Sequence, residues 1–154
     1  MNPSGLHIRE VMAADLDGWA CLRGQLWPED ADQHSAELKQ FFAGRSVDII
    51  KAYVLVDGDD QVRGFMELNI RNFAEGSRSP RVPYVEAWYV SPECQGQGWG
   101  KQFMHKAEQW ALKMGHCELA SDTEITNQHS IDVHKHLGFV ETERVVCLLK
   151  QLKP

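Results

Sequence analysis

A chain of 154 residues with 43% hydrophobic and 25% charged side chains has the makings of one globular domain that buries a core without disulfides or metal. These proportions exclude a disordered tail, a collagen-like repeat and a membrane protein, because apolar runs such as Cys147-Leu148-Leu149 fall far short of the ~20 residues that span a bilayer. A net charge of −6, from 22 acids against 16 bases, argues against nucleic acid as a partner, whose binding rests on Lys and Arg neutralising phosphates.

The start, Met1-Asn2-Pro3-Ser4-Gly5, shows neither the basic cap nor the apolar stretch of a secretory leader, so the expected compartment is the cytoplasm. Four cysteines, at positions 21, 94, 117 and 147, lack C-x-x-C spacing and read as free thiols. His134 and His136, two apart, would point to different sides of a helix, and no metal is expected. Glu29, Asp30, Asp32 and Glu37 crowd one early segment. It is either a solvated face, which composition favours, or a lip that attracts a polycation.

In chain order, Leu6 to Met12 alternates as a first strand. A helix opens at Ala14 or Asp15, carries Leu16, Trp19, Leu22, Arg23 and Leu26 at helical spacing, and ends at Pro28. A second helix is predicted over Asp32 to Ala43, stopped by Gly44. Strands follow at Ala52–Val56 and Gln61–Ile70, joined by the turn Asp57-Gly58-Asp59-Asp60, and a third at Val82–Val90 after a polar loop from Asn72 to Pro80. Gly98 to Met114 reads as a long amphipathic helix with Phe103, Ala107, Trp110, Ala111 and Met114 on one side. A short strand at Glu118–Ser121, a helix at Asn127–Leu137 and a last strand at Phe139–Leu152 complete the order β-α-α-β-β-β-α-β-α-β. With no linker and no internal repeat, residues 1–154 are expected to form a single α+β domain around a mixed sheet.

The most informative stretch is Tyr89-Val90-Ser91-Pro92-Glu93-Cys94-Gln95-Gly96-Gln97-Gly98-Trp99-Gly100. A strand runs through a glycine-rich turn into a helix N-terminus, where backbone N–H groups and a partial positive charge favour phosphate. Glycine permits positive φ and close approach of the backbone, and Lys101 adds a cation in the first turn. By spacing alone the same loop also fits a tight turn with no ligand. A dinucleotide fold fits poorly, since the loop comes after four strands rather than opening a βαβ unit, and the P-loop pattern is absent.

Val90-Ser91-Pro92 followed by Gln95-Gly96-Gln97-Gly98-Trp99-Gly100 closely resembles the pyrophosphate loop of the GNAT acetyltransferases, Q/R-x-x-G-x-G/A. Asn127 and the run His134-Lys135-His136-Leu137-Gly138-Phe139 resemble that superfamily's closing helix and L-G-F turn. The resemblance implies a mixed, mostly antiparallel sheet flanked by helices and splayed at the strand beside acetyl-CoA. Four further blocks, Gln25–Pro28, Val85–Val90, Ala120–Thr123 and Gly138–Val145, resemble the aminoglycoside 6′-N-acetyltransferases.

That resemblance implies direct transfer of acetyl from acetyl-CoA to the 6′-amine of an aminoglycoside, a cationic aminosugar, and implies a homodimer. Such a site must hold a polycation, accept a proton from an ammonium and polarise the thioester carbonyl. By pattern, Glu86 is most simply a surface-facing strand residue, Asp122 a turn or N-cap residue, and Glu143 a solvent-facing strand residue. By resemblance, Glu86 and Asp122 are the rival proton acceptors and, with Glu143, the carboxylates that bind amines. Trp27, otherwise a core plug, would pack on the sugar, and Phe73 stands near a drug-contacting tyrosine of relatives, without the hydroxyl.

The backbone of Trp88, Tyr89 and Val90 would run beside pantetheine, with the Val90 amide donating to the thioester. Gly96, Gln97, Gly98, Trp99, Gly100 and Lys101 would hold the pyrophosphate, and Asn127 would touch pantetheine. His134 stands where many superfamily members carry a tyrosine acid. It either protonates the departing thiolate or is a packed helix residue. For neither Cys94 nor Cys117 does the sequence show a histidine placed as a catalytic partner, which speaks against an acyl-cysteine intermediate. Two rival readings are acetylation of a protein, peptide or polyamine amine, and a non-catalytic acyl-CoA sensor.

Overall fold

The computed structural model describes residues 5–154, so Met1–Ser4, read above for a leader, lie outside the described residues. Its elements are β1 (His7–Glu10), α1 (Leu16–Leu26), α2 (His34–Phe42), β2 (Lys51–Val56), β3 (Val62–Arg71), β4 (Val82–Val90), α3 (Trp99–Lys113), β5 (Ala120–Ser121) and α4 (Gln128–His136). The sheet order is β1-β2-β3-β4-β5; the first three pairings are antiparallel and β4–β5 is parallel. This is the mixed, mostly antiparallel α+β sheet that the sequence implied.

Strand alternation sorts the core into two layers. On one face Val54, Val56, Phe65 and Ala87 meet Trp19, Leu22 and Leu38 from α1 and α2. On the other, Leu55, Met66, Leu68 and Val85 meet Phe103, Met104, Ala107 and Trp110 of α3. Phe103 and Leu38 are fully buried, and each such side chain contributes about 1.5–3 kcal/mol of transfer free energy. Met114, predicted on the apolar side of the long helix, is instead 52% exposed just past its end.

Two irregularities of β4 shape the site. Glu67 pairs with Ala87, yet the next residue, Leu68, pairs with Val85, so Glu86 is the extra residue of a β-bulge. The bulge breaks alternation, putting Val85 and Trp88 toward α3 and Ala87 and Tyr89 toward α1. Secondly, β5 pairs with β4 only at Tyr84 and Val85. Beyond that point no described strand covers the outer edge of β4, and the sheet splays.

The C-terminal strand predicted over Phe139–Leu152 does not form. Residues 139–154 carry no strand, and Val146, Leu148, Leu149 and Leu152 are 78–90% exposed. A strand exists only against an edge that accepts its hydrogen bonds. Here the chain after Phe139 departs as an arm, anchored where Thr142 Oγ1 donates to the Glu75 carbonyl, and does not return to β5. The strand predicted at Glu118–Ser121 correspondingly shrinks to Ala120–Ser121.

Candidate active site

Glu86 stands in the bulge at the mouth of the splay. Arg71, the last residue of β3, forks onto its carboxylate with Nε–Oε1 at 2.6 Å and Nη2–Oε2 at 2.8 Å. The guanidinium also lies over the Tyr84 ring, Cζ 3.6 Å from the centroid. Tyr84 is buried on β4, and its hydroxyl donates to Asp122 Oδ2 at 2.5 Å. Burial and the neighbouring Asp122 carboxylate push the Tyr84 phenol far above its ordinary range, so it keeps its proton. Glu86 and Asp122, named separately from the sequence, are thus joined through Arg71 and Tyr84. Asp122 caps no helix; it lies exposed directly after β5.

Beside this cluster runs the open edge of β4. The Ser91 amide donates to the Arg63 carbonyl, which makes Arg63/Ser91 a hydrogen-bonded pair of the antiparallel ladder. Such pairs alternate, so Tyr89 and Ala87 bond to β3 while Trp88 and Val90 aim their N–H and C=O groups at the uncovered side. The Gln95 amide occupies the Val90 carbonyl from that side at 2.8 Å, leaving its N–H facing the splay.

The glycine loop then enters α3. Gly96 and Gly98 adopt φ of 77° and 87°, and a Cβ at either position would meet nothing within 4 Å. Glycine is required there for its backbone conformation, not for space. Gly98 is the N-cap, no side chain caps the helix, and no acid occupies its first turn. The first N–H groups of α3 therefore face outward beside Gln97 and the exposed Lys101, an arrangement suited to an anion. Trp99 packs on the core, and Gly100 lets the Trp88 indole lie close beneath the helix start, since an added Cβ would sit 3.1 Å from Cζ2. Among the described residues, Trp88 Nε1 is a buried donor with no protein acceptor, the kind of group a ligand or water satisfies.

The other predicted residues fall in different surroundings. Trp27 follows α1, under the Arg23 guanidinium at 5.2 Å and beside the His34 ring. Tyr89 donates its hydroxyl to Gln25 Oε1, tying β4 to α1. Phe73 is 66% exposed on the loop after β3. Asn127 caps α4, its Oδ1 accepting from the Ser130 amide. Glu143 lies exposed on the arm. His134 is a packed residue. The Ser130 carbonyl can only accept, so Nδ1 donates to it, and Nε2 lies 2.9 Å from Ser121 Oγ. Its ring meets Trp88 and Phe139 edge-on.

A groove of about 620 Å³ is lined by residues of α3, β5 and the start of the arm, away from Glu86. Among the described residues, no group of three or more His, Cys, Asp or Glu could hold a metal, and no helix is long and apolar enough to cross a membrane.

Residues 16–139 match the acetyltransferase (GNAT) family. The chain belongs to this family. Similar GNAT proteins include an aminoglycoside N(6′)-acetyltransferase type 1 of Klebsiella aerogenes, 37% identical over 94% of this chain and 96% of that enzyme. Another from Stenotrophomonas maltophilia is 36% identical over 100% of this chain and 99% of its own. Among solved structures, AAC(6′)-Iy in complex with a bisubstrate analogue, CoA-S-monomethyl-acetylneamine, has a TM-score of 0.86 at 32% identity, covering 97% of this chain and 100% of that one. AAC(6′)-Ih from Acinetobacter baumannii has a TM-score of 0.85 at 30% identity, with 97% and 100% covered.

Within this GNAT acetyltransferase, Arg71 and Tyr84 are the partners of Glu86 and Asp122 that sequence reasoning missed. A signal was present. Glu67, Asn69 and Arg71 alternate along β3, which places a polar row on one face, and its last member ends where Glu86 bulges out.

Proposed function

We propose that this chain is an aminoglycoside 6′-N-acetyltransferase, moving acetyl from acetyl-CoA to the 6′-amine by direct attack, which would confer drug resistance. The observation that carries the reading is the pair Glu86 and Asp122, linked through Arg71 and Tyr84 beside an uncovered strand edge that leads into an anion cradle. Acetyl-CoA fits this surface as a strand-like ligand. Its pantetheine amides would face Trp88, Tyr89 and Val90, and its pyrophosphate the amides of Gly96 to Gly100 with Lys101. Bound there, it supplies an activated acetyl thioester. The relatives named above act on aminoglycosides, and one is described with a CoA–acetylneamine analogue.

In this reading Glu86 and Asp122 attract the 6′-ammonium, and one of them takes its proton, directly or through water. The freed amine attacks the thioester carbonyl while the Val90 N–H stabilises the developing oxyanion. As the C–S bond breaks and CoA leaves as thiolate, the nitrogen gives up its second proton, to the other carboxylate or to water, and the C–N bond persists as a neutral amide. In this reading His134, packed between Trp88 and Phe139, is not needed as an acid, since a CoA thiolate leaves without one. Trp27 would offer the sugar an aromatic face, with Phe73 and Glu143 as further drug contacts. The compartment this chemistry calls for is the cytoplasm, where acetyl-CoA is made.

The test is thiol release from acetyl-CoA with tobramycin, kanamycin A and paromomycin, which bears a 6′-hydroxyl. Turnover with the first two and little with the third is expected. Equal turnover on all three would move the acetylated amine elsewhere on the drug. Silence on all three, with CoA still bound, would redirect the search to peptides and polyamines or to an acyl-CoA sensor.

We also propose that the enzyme is a homodimer, on the strength of the arm. Val145, Val146, Cys147, Leu148 and Leu149 form a run apolar on both alternating faces, the pattern of a strand covered on two sides. The structure also leaves the outer edge of β5 beside a groove lined by Ala111, Leu119 and Leu137. A second copy's arm supplies what each lacks. Sedimentation at micromolar concentration should give twice the monomer mass, and a monomer would overturn the reading.

A further inference from the structure

Tyr84 makes two different contacts at once. Its hydroxyl donates to Asp122, and its ring face receives the guanidinium of Arg71, which in turn forks onto Glu86. The ring is 3% exposed and seated among Ala74, Val82 and Ala120. Its main chain is also fixed, because Tyr84 pairs with Asn69 on one side and Ala120 on the other. It is therefore a rigid post, whereas Asp122 lies past the end of a two-residue strand and Arg71 at the end of β3.

The charges around this post are countable. Glu86, Asp122 and the nearby Glu75 are carboxylates against the single guanidinium of Arg71, so the surroundings of Tyr84 carry an excess of negative charge suited to a cationic amine. Unheld, Arg71 could swing onto Asp122 as well as Glu86, and either carboxylate could turn to water. The aromatic face and the phenolic hydrogen bond remove those alternatives: one fixes where the guanidinium sits, the other fixes which way Asp122 points. Burial and Asp122 hold the phenol protonated, so Tyr84 acts here as a donor and not as a base.

We propose that Tyr84 is the positioning residue of the acceptor site, holding Asp122 and the Arg71–Glu86 pair in a fixed relation so that together they receive a substrate ammonium. This rests on the reading that Glu86 and Asp122 bind the amine. Tyr84 acts through Asp122 and Arg71 and touches no reacting atom itself.

The experiment is steady-state kinetics with acetyl-CoA and tobramycin on the full chain. The variants are Tyr84→Phe, Tyr84→Leu, Asp122→Asn, Asp122→Ala, Glu86→Gln and the double variant Tyr84→Phe/Asp122→Ala. Tyr84→Phe keeps the ring under Arg71 and loses only the donor. The tobramycin KM should rise about 5–20-fold, while the acetyl-CoA KM and the melting temperature stay near wild type. Tyr84→Leu loses the cation's seat too, and kcat should fall at least a further tenfold. The double variant should be no worse than Asp122→Ala alone, because without an acceptor at position 122 the hydroxyl has nothing left to hold.

Wild-type kinetics in Tyr84→Phe, or strict additivity in the double variant, would overturn the inference while leaving the acceptor site intact. Equal changes in both KM values would reduce Tyr84 to a structural residue and overturn it likewise. If Glu86→Gln and Asp122→Asn are themselves silent, the site reading fails and the positioning role falls with it. Should Tyr84→Leu not fold, the Phe variant and the double-variant comparison decide alone.

Discussion

Replacing Arg23 by methionine should destabilise the fold through a charge left behind, not through lost packing. Arg23 lies on α1, and its guanidinium reaches Glu67 on β3 with Nε–Oε2 at 2.9 Å and Nη2–Oε1 at 3.1 Å. Trp19 Nε1 also donates to Glu67 at 2.9 Å. The two side chains are 8% and 2% exposed. Methionine fills most of the arginine stem's volume but leaves Glu67 a buried carboxylate with one neutral donor. Removing one partner of such a pair costs about 3–5 kcal/mol, which for a chain of this size lowers the melting temperature by roughly 6–20 °C. Glu37, the other carboxylate on Arg23, is half exposed and simply turns to water.

The charge explanation has two signatures. In Arg23→Met/Glu67→Leu most of the loss should return, leaving about 1–3 kcal/mol for the stranded Trp19 N–H. Acid should also relieve the single variant. Burial already pushes the Glu67 carboxyl above its ordinary range, against the pull of Arg23, and without the guanidinium it rises further. A folded pKa above the unfolded ~4.3 means that the penalty is full above the folded value and fades as the pH falls toward ~4. Urea denaturation of wild type and both variants at pH 7.5 and pH 5 measures this. A double variant no more stable than the single one, or a loss independent of pH, would refute it.

Two further outcomes follow from the geometry. Burial raises the Asp15 carboxyl, but the fork from Arg9 and the Met12 amide outweigh it and hold it below the ordinary range. Its contribution is then full above the unfolded ~3.9 and lost as the pH falls through the folded value, so Asp15→Asn should cost about 1–3 kcal/mol at pH 7 and flatten the acid limb in a pH series of melts. Gly98→Ala meets no steric obstacle but must adopt φ of 87°. It should lose roughly 1–2 kcal/mol and raise the acetyl-CoA KM several-fold without moving the tobramycin KM, a split that calorimetric titration with CoA can check.

Legibility in the sequence followed the range of the interactions. α3 and its glycine loop were readable because Phe103, Ala107, Trp110 and Ala111 recur at helical spacing directly after Gly96 and Gly98. The β3–β4 ladder was readable from two long apolar strands, but the bulge at Glu86 was not, since register is decided between strands. For the same reason the sequence named Glu86 and Asp122 by resemblance while Arg71 and Tyr84 stayed hidden, being brought to them only by pairing. Local pattern also read the arm as a strand: Val145 to Leu149 has every β-forming trait except a neighbour, and a neighbour is a tertiary fact.

The face of β3 that carries Glu67 and Arg71 shows how one kind of interaction serves two ends. Each residue takes part in a forked arginine–carboxylate pair, Arg23 with Glu67 and Arg71 with Glu86. The first is sealed between α1 and the sheet. No ammonium could replace Arg23 without dragging its hydration into the core, so that pair locks the wall behind Trp27. In the second, Arg71 is 41% exposed and Glu86 17%. Water screens the pair enough that an arriving ammonium can share the carboxylate at small cost, while Tyr84 keeps the guanidinium from leaving. Four residues along one strand, solvent access thus separates a sealed pair from one that an incoming cation can reach. Crowding the solvent side of Arg71 should therefore raise the tobramycin KM in steady-state kinetics without the gain in melting temperature that apolar packing alone would bring, because burying the pair costs desolvation.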